Sequence, residues 1–162
     1  MRIPASTYRL QITPDFDLTA AAEQLERLQA LGADWVYLSP VLRSVGGSDH
    51  GYDVADPTEV DQARGGREAF DRFCRSAHEL DLGVLVDIVP NHQGVAAPEQ
   101  NPWWWSLLAQ GQASPYAKAF DVEWASGGGR VLIPVLGDGD DELAQLRHSA
   151  ESIQATARRF GF

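Results

Sequence analysis

The sequence has little cysteine, few basic residues and no long apolar run. Its single cysteine, Cys74, excludes a disulfide within the chain, and the surrounding apolar helical pattern favours a buried thiol over a nucleophile. No stretch approaches the roughly 18 uninterrupted apolar residues that a membrane span requires. The first residues also lack the apolar core of a secretion signal. We therefore expect a cytoplasmic protein with no membrane partner.

Basic residues are too few and too scattered for a nucleic-acid partner. The chain carries 13 Lys and Arg against 23 Asp and Glu, a formal net charge of −10, whereas phosphate contacts need clustered cations. The spacings of the histidines match no zinc site, and no glycine-rich segment has the pattern of a phosphate-binding loop. We expect no metal and no cofactor, and a neutral or cationic small molecule as the ligand.

What is present is an alternation of strands and helices in a chain long enough for one domain with a core. Polar and β-forming residues alternate over 6–12, and short apolar runs at 35–38 and 84–89 are typical of strands buried on both faces. Apolar residues recur at helical spacing over 18–31 and 67–80. The predicted order is strand, helix, strand, helix, strand.

This order predicts an α/β fold with a parallel sheet, which can be a (β/α)8 barrel or an open doubly wound sheet. Polar residues crowd a predicted long loop at 43–66, rich in Gly, Asp and Ser, and also the end of the third strand. Because barrel enzymes carry their sites at the C-terminal ends of the strands, this crowding favours the barrel. We expect residues 1–92 to form the first three strands and two helices of a partial (β/α)8 TIM barrel.

The pattern changes after residue 92. Three consecutive tryptophans at 103–105 are followed by three glycines at 127–129 and a β-forming run at 130–136. We predict a short helix, a glycine turn and one strand, which begin an inserted subdomain over 93–138. Consecutive tryptophans on a helix point in different directions, so at least one belongs to a core. Residues 139–162 are predicted to form a helical or disordered tail.

Asp87 is the most informative single residue. A carboxylate within an apolar strand is costly to bury unless it is hydrogen-bonded or ion-paired. It therefore indicates a site near the C-terminal end of a barrel strand, a structural ion pair or a position at the edge of the sheet. Asn91 and His92 follow directly after Pro90, where a turn can present them to hydroxyl groups over the barrel mouth or can be merely structural.

The loop after the second predicted strand is the other candidate. It places His50, Tyr52 and Asp53 among glycines. Such a loop can hold an aromatic face beneath a sugar ring, or it can be an ordinary solvated turn.

At this point the residues resemble a known family. The run DIVPNH at 87–92 is similar to the end of the third barrel strand in the α-amylase family, glycoside hydrolase family 13, and HGYD at 50–53 is similar to its loop after the second strand. The segments STYRLQ, YLSP, NPWWW and RVLIPVLG resemble the branch that converts the reducing-end α-1,4 bond of a maltooligosaccharide into an α,α-1,1 bond, which leads to trehalose. The likeness covers about residues 4–138 and implies a maltooligosaccharide or another α-1,4-glucan as the substrate.

The resemblance implies a role for each matching residue. Tyr52 is expected to stack beneath the transferred glucose and His50 and His92 to bind its hydroxyls. Asp87 and Asn91 are expected to hold the site in shape. The predicted substrate-binding residues are His50, Tyr52, Asp53, Asp87, Asn91 and His92.

The family's retaining mechanism uses a carboxylate nucleophile and a carboxylic acid about 5 Å apart, and the resemblance places these, with a third Asp, on the fourth, fifth and seventh strands. We therefore expect no catalytic residue in this chain, with the nucleophile and acid beyond residue 162, and no activity of the chain alone. Three of eight strands would leave two parallel edges, which a complementing chain could cover. Alternatives are a non-catalytic carbohydrate-binding module, a fragment of another amylase-family hydrolase or transglucosylase, and a small nucleotide-binding α/β protein.

Overall fold

The computed structural model of the protein describes residues 2–133. They belong to two compact units, one that ends at Asn101 and one that begins at Pro102, and each is described by itself. No helix within this range is long and apolar enough to cross a membrane. The predicted tail at 139–162 lies outside the described residues, and the predicted boundary at residue 92 stays a prediction.

The first unit is built from short strands and helices joined by turns. Along the chain they are β1 (Thr7–Leu10), α1 (Leu18–Ala22), α2 (Leu25–Ala30), β2 (Trp35–Leu38), β3 (Leu42–Ser44), β4 (Val54–Val60), α3 (Gly66–Glu79) and β5 (Gly83–Val86).

Three of the strands form a parallel sheet in the order β1-β2-β5. The register places Arg9 beside Tyr37 and Tyr37 beside Leu85. Each strand lies next to the preceding strand of the sheet, with a helical segment between them in the chain, which is the strand order of a (β/α)8 barrel. The prediction of three parallel strands is therefore confirmed. The third strand, predicted over 84–89, is instead Gly83–Val86, so Asp87 is the first residue beyond it rather than part of it.

The helix predicted over 18–31 is instead two short helices, α1 and α2. The N–H of Gln24 bonds to the carbonyl of Ala21, three residues back rather than four, so the chain tightens into a turn between them. The apolar spacing continues across this turn, and Leu25 and Leu28 are buried. The break therefore leaves the apolar face of the segment intact.

The core lies between the sheet and the helices. Val36 and Leu38 of β2 are fully buried, as is Phe73 of α3, whereas Tyr37, between the two β2 residues, is only partly buried. Alternation along a strand therefore gives the sheet one face for the core and another for the candidate site. The buried cluster consists of Leu10, Ile12, Leu18, Ala21, Leu25, Leu28, Val36, Leu38, Val41, Ala69, Phe73, Ala77 and Leu82.

The prediction of one long loop over 43–66 is wrong. β3 and β4 pair in an antiparallel sheet that places Ser44 opposite Val54, with register shifts along the pair. Val54 and Ala55 are consecutive and both buried, so the start of β4 is covered on both faces. Pro57 and the polar residues around it hide the strand signal in the sequence, because proline inside a run argues against a strand.

The second unit begins with α4 (Pro102–Gln110), as predicted for the aromatic segment. Trp104 is buried, and its ring centroid lies 5.2 Å from that of Phe120. Trp103 stacks on Tyr116 at 5.2 Å. The expectation of at least one buried tryptophan is therefore confirmed. Residues 130–133, the described part of the strand predicted over 130–136, do not form a strand.

Candidate active-site rim

The candidate site lies at the C-terminal ends of β2 and β5 on the face of the sheet opposite the core. Tyr37 and Arg9 share this face because they are aligned in the register, and each is followed on its strand by a buried leucine, Leu38 and Leu10. Asp87 follows β5 directly, and its N–H bonds to the carbonyl of Leu38 at 2.9 Å, which extends the parallel ladder by one step. The carboxylate is thereby fixed at the end of the sheet.

Asp87 accepts two hydrogen bonds from tyrosine hydroxyls. The Tyr52 hydroxyl donates to Oδ2 at 2.6 Å and the Tyr37 hydroxyl donates to the same oxygen at 2.9 Å. The bond to the Asp87 carboxylate raises the pKa of Tyr37 above its usual value, because it favours the protonated phenol. The half-buried carboxylate of Asp87 is therefore hydrogen-bonded, as a carboxylate withdrawn from water needs to be.

Arg9 completes this group from β1. Its guanidinium donates to the Tyr52 hydroxyl at 3.3 Å and to Oε1 of Gln11 at 2.8 Å, and it lies 5.7 Å from the centre of the Tyr37 ring. The hydrogen bond to Tyr52 raises the pKa of Arg9 above its usual value. We call Arg9, Tyr37, Tyr52 and Asp87 the rim cluster.

The loop that carries Tyr52 is held in a tight turn. Gly51 has φ of +78°, and a Cβ at this position would lie 2.9 Å from the carbonyl oxygen of Pro40, so only glycine fits without a shift. The N–H of Tyr52 donates to Nδ1 of His50 at 3.0 Å, and the two rings stack with centroids 6.1 Å apart. Asp53 lies 3.8 Å from the same His50 nitrogen. The turn therefore gathers all three side chains.

His92 approaches this loop from the segment after β5. Its Nε2 donates to the carbonyl oxygen of Tyr52 at 3.1 Å. The backbone N–H of Gly94 donates to the carbonyl of Val54 at 2.7 Å, so the two segments are joined at Tyr52 and again two residues later. Asn91 is exposed, and its side chain makes no hydrogen bond within residues 2–133.

A buried arginine lies beneath the loop. Arg64 has 1% of its side chain exposed and donates to Oδ2 of Asp61 at 2.6 Å and to Oγ of Ser44 at 2.8 Å. It also donates to the backbone carbonyls of Ile12 and Ser48, which lie after β1 and in the loop respectively. One satisfied ion pair thus connects β1, β3 and the loop that presents Tyr52.

The structure brings together His50, Tyr52, Asp53, Asp87 and His92 but not Asn91. Sequence reasoning missed Arg9 and Tyr37. Polar and apolar residues alternate in β1, which gives Arg9 a separate face, whereas the continuous apolar run of β2 hides the face of Tyr37. Within residues 2–133, no group of three or more histidine, cysteine or carboxylate side chains could hold a metal ion. The cluster offers an aromatic face, hydrogen-bond donors and an engaged carboxylate, which suit the binding of a hydroxyl-rich ligand.

The parallel sheet and the polar cluster at the strand ends define an α/β protein with a candidate site at the rim of the sheet, a description that fits a (β/α)8 barrel. The family described as Alpha amylase, catalytic domain, matches residues 6–117. The chain therefore belongs to the α-amylase family, and its fold is part of a (β/α)8 barrel.

Relatives place the chain near one branch of this family. A putative maltooligosyl trehalose synthase of Mycobacterium tuberculosis is 46% identical over 154 residues, which are 92% of this chain and 20% of that protein. The structure of maltooligosyltrehalose synthase from Arthrobacter ramosus is 60% identical with a TM-score of 0.80, over 87% of this chain and 19% of that chain. A malto-oligosyltrehalose trehalohydrolase of Brevibacterium helvolum is 36% identical over 124 residues, which are 73% of this chain and 20% of that protein. The chain thus spans about a fifth of the length of the curated relatives it matches.

Proposed function

We propose that this chain supplies one wall of the glucose-binding site in an enzyme that converts the reducing-end α-1,4 bond of a maltooligosaccharide into an α,α-1,1 bond. The observation that carries the proposal is the hydrogen bond from the Tyr52 hydroxyl to Asp87, which fixes an aromatic ring at the C-terminal ends of parallel strands. The similarity to proteins named maltooligosyltrehalose synthase supports a maltooligosaccharide as the substrate.

Two histidines give the proposed site complementary hydrogen-bonding groups. Nδ1 of His50 accepts the N–H of Tyr52, so in the neutral ring Nε2 carries the proton and can donate to a sugar oxygen. Nε2 of His92 donates to a carbonyl, so its Nδ1 is the free acceptor for a sugar hydroxyl. The ring of Tyr52 provides the apolar face on which the C–H side of a glucose unit can stack.

We propose no catalytic role for the carboxylates of this rim. Retention of configuration needs a nucleophile and an acid about 5 Å apart, whereas Asp87 is held by two tyrosine hydroxyls and Asp53 accepts a hydrogen bond from Ser48. The 162-residue chain alone is therefore expected to be inactive on maltooligosaccharides. Incubation with maltopentaose, followed by detection of a non-reducing product, tests this expectation, and clear turnover would contradict it.

The binding role is tested in a hybrid enzyme, in which this chain replaces the matching segment of the Arthrobacter ramosus synthase. The 60% sequence identity over 87% of this chain is the reason for choosing that enzyme. We expect the hybrid enzyme to remove reducing ends from maltopentaose, and we expect Tyr52→Ala to reduce kcat/KM by roughly tenfold or more, as the loss of one buried aromatic contact would. Arg75→Gln, an exposed change on α3, is the matched control.

The hybrid enzyme also separates the main proposal from its rivals. Release of reducing sugar instead of a non-reducing product would favour a hydrolase of the family, and a folded hybrid without either activity would contradict the proposal.

A stand-alone carbohydrate-binding module is the second candidate, and it is supported by Tyr52 and His50 at the exposed rim. A saturable change in tryptophan fluorescence when the 162-residue chain is titrated with maltopentaose would favour it. A cytoplasmic location and the lack of a nucleic-acid or membrane partner stay predictions.

A further inference from the structure

Arg9 is an exposed cation that has no carboxylate partner among the described residues. Its polar contacts are with neutral groups, the Tyr52 hydroxyl at 3.3 Å and the Gln11 amide oxygen at 2.8 Å. Some arginines of the described residues pair with acids at the surface, as Arg67 does with Asp71, but Arg9 does not. The position of Arg9 over the site face of the sheet is therefore not explained by a surface ion pair.

The contacts of Arg9 set the direction of the hydrogen bonds in the rim cluster. A guanidinium has only donors, so Arg9 must donate to the oxygen of Tyr52. That oxygen then directs its single proton to Oδ2 of Asp87, 2.6 Å away. The result is an ordered chain from a cation through a phenol to a carboxylate, in which every group has one defined role.

Arg9 also restrains the second tyrosine of the cluster. Its guanidinium carbon lies 5.7 Å from the centre of the Tyr37 ring, within the range of a cation–π contact. Tyr37 donates to the same oxygen of Asp87 as Tyr52 does. A single side chain from β1 therefore contacts both tyrosines that hold the carboxylate.

We infer that Arg9 is a positioning residue of the rim, which orients the Tyr52 hydroxyl towards Asp87 and fixes the ring on which a sugar would stack. The consequence for sugar binding rests on the proposed function, but the positioning itself does not. Arg9 is exposed at the end of a short strand, so its replacement leaves the buried core unchanged. Its effect should therefore be local to the rim cluster.

The test is the NMR spectrum of the whole 162-residue chain with 13C at the hydroxyl-bearing carbon of tyrosine. The chain has four tyrosines, and single Tyr→Phe variants assign their signals. We expect Arg9→Gln to shift the Tyr52 and Tyr37 signals by more than the line width, because the donor to one hydroxyl and the cation over the other ring are both lost. The Tyr8 and Tyr116 signals are expected to stay in place. Arg9→Lys, which keeps a cationic donor, should move the Tyr52 signal less than Arg9→Gln does.

Arg75→Gln is the matched control, and it should leave all four signals unchanged. Unmoved Tyr52 and Tyr37 signals in Arg9→Gln would overturn the inference, as would equal shifts of Tyr8 and Tyr116, which indicate a general loss of structure. This measurement needs no sugar, so a hybrid enzyme that lacks activity would contradict the proposed function without touching the role of Arg9.

Discussion

The hydroxyl of Tyr52 lies 2.6 Å from Oδ2 of Asp87, although 35 residues separate the two in the chain. The tyrosine comes from the turn between β3 and β4, and the aspartate follows β5 directly. Because neighbouring parallel strands end at the same edge of a sheet, a residue after β5 and a loop that follows β2 reach the same place. This contact makes the rim a defined structure rather than a set of separate surface side chains.

Two replacements of Tyr52 should separate its ring from its hydroxyl. In the hybrid enzyme we expect Tyr52→Phe to lower kcat/KM less than Tyr52→Ala, because phenylalanine keeps the face that stacks on the sugar and loses only the bond to Asp87. The difference should be about tenfold, the value of a buried aromatic contact. Steady-state kinetics with maltopentaose measures it, and equal losses in the two variants would argue against stacking.

Replacement of Asp87 should be visible in the ionisation of Tyr37. The bond to the carboxylate is the main cause that raises the pKa of Tyr37 above its ordinary value of 10.0. A raised folded-state pKa means that this bond stabilises the fold below the pH at which an unfolded tyrosine ionises, and that the stabilisation is lost as pH rises through the higher folded-state value. In Asp87→Asn the pKa of Tyr37 should fall towards its ordinary value.

Absorbance titration of tyrosinate, with Tyr37→Phe in each background to identify the signal, measures this change. Asp71→Asn on α3 is the control, since its carboxylate pairs with Arg67 away from the rim. An unchanged Tyr37 titration in Asp87→Asn would contradict the hydrogen bond as the cause of the raised pKa.

The backbone of the loop offers a prediction with an internal control. Gly47 and Gly51 both have positive φ, of +86° and +78°, so alanine at either position should cost about 1 to 2 kcal/mol of backbone strain. A Cβ at Gly47 meets nothing within 4 Å, whereas one at Gly51 lies 2.9 Å from the Pro40 carbonyl oxygen. Gly51→Ala should therefore destabilise the chain more and should also shift the Tyr52 signal in the 13C spectrum. Equal unfolding free energies and an unmoved Tyr52 signal in both variants would contradict this difference.

The sequence predicts the parallel strands and α3 well because their signals are local. The apolar run at Trp35–Leu38 is a strand with the predicted bounds, and Gly66–Glu79 differs from the predicted helix by one residue at each end. β3 and β4 were not predictable in this way. Pro57 and the polar residues of β4 give no strand pattern, and the irregular register of its pairing with β3 depends on packing that a local pattern does not contain.

The sequence points to the candidate residues that lie in loop motifs, but it does not point to those that lie within strands. His50, Tyr52 and His92 lie in turns whose residue types are unusual, so they attract notice in the sequence alone. Arg9 and Tyr37 are ordinary strand residues, and their role depends on a register that aligns them beside each other. Which face of a strand meets the site is decided by the position of the helices, and no single strand carries that information.

Arg64 should be the residue on which the loop depends for stability. Its guanidinium is 1% exposed and pairs with Asp61, whose side chain is 11% exposed, so Arg64→Met would leave a buried carboxylate without its cation. Such a loss costs about 3 to 5 kcal/mol in general. The bonds to the Ile12 and Ser48 carbonyls would be lost as well, so the loop that carries Tyr52 should loosen.

The matched control for Arg64→Met is Arg67→Met, in which the arginine is 75% exposed and pairs with Asp71 on the surface of α3. Exposed pairs contribute about 1 kcal/mol or less, so this variant should unfold at nearly the urea concentration of the parent chain. Arg64→Lys should recover only part of the loss, because an ammonium cannot reproduce the fork that contacts Asp61, Ser44 and two carbonyls. Urea unfolding followed by circular dichroism measures all three variants. A midpoint for Arg64→Met equal to that of Arg67→Met would mean that the buried pair does not anchor the loop, and the position of Tyr52 would then need another cause.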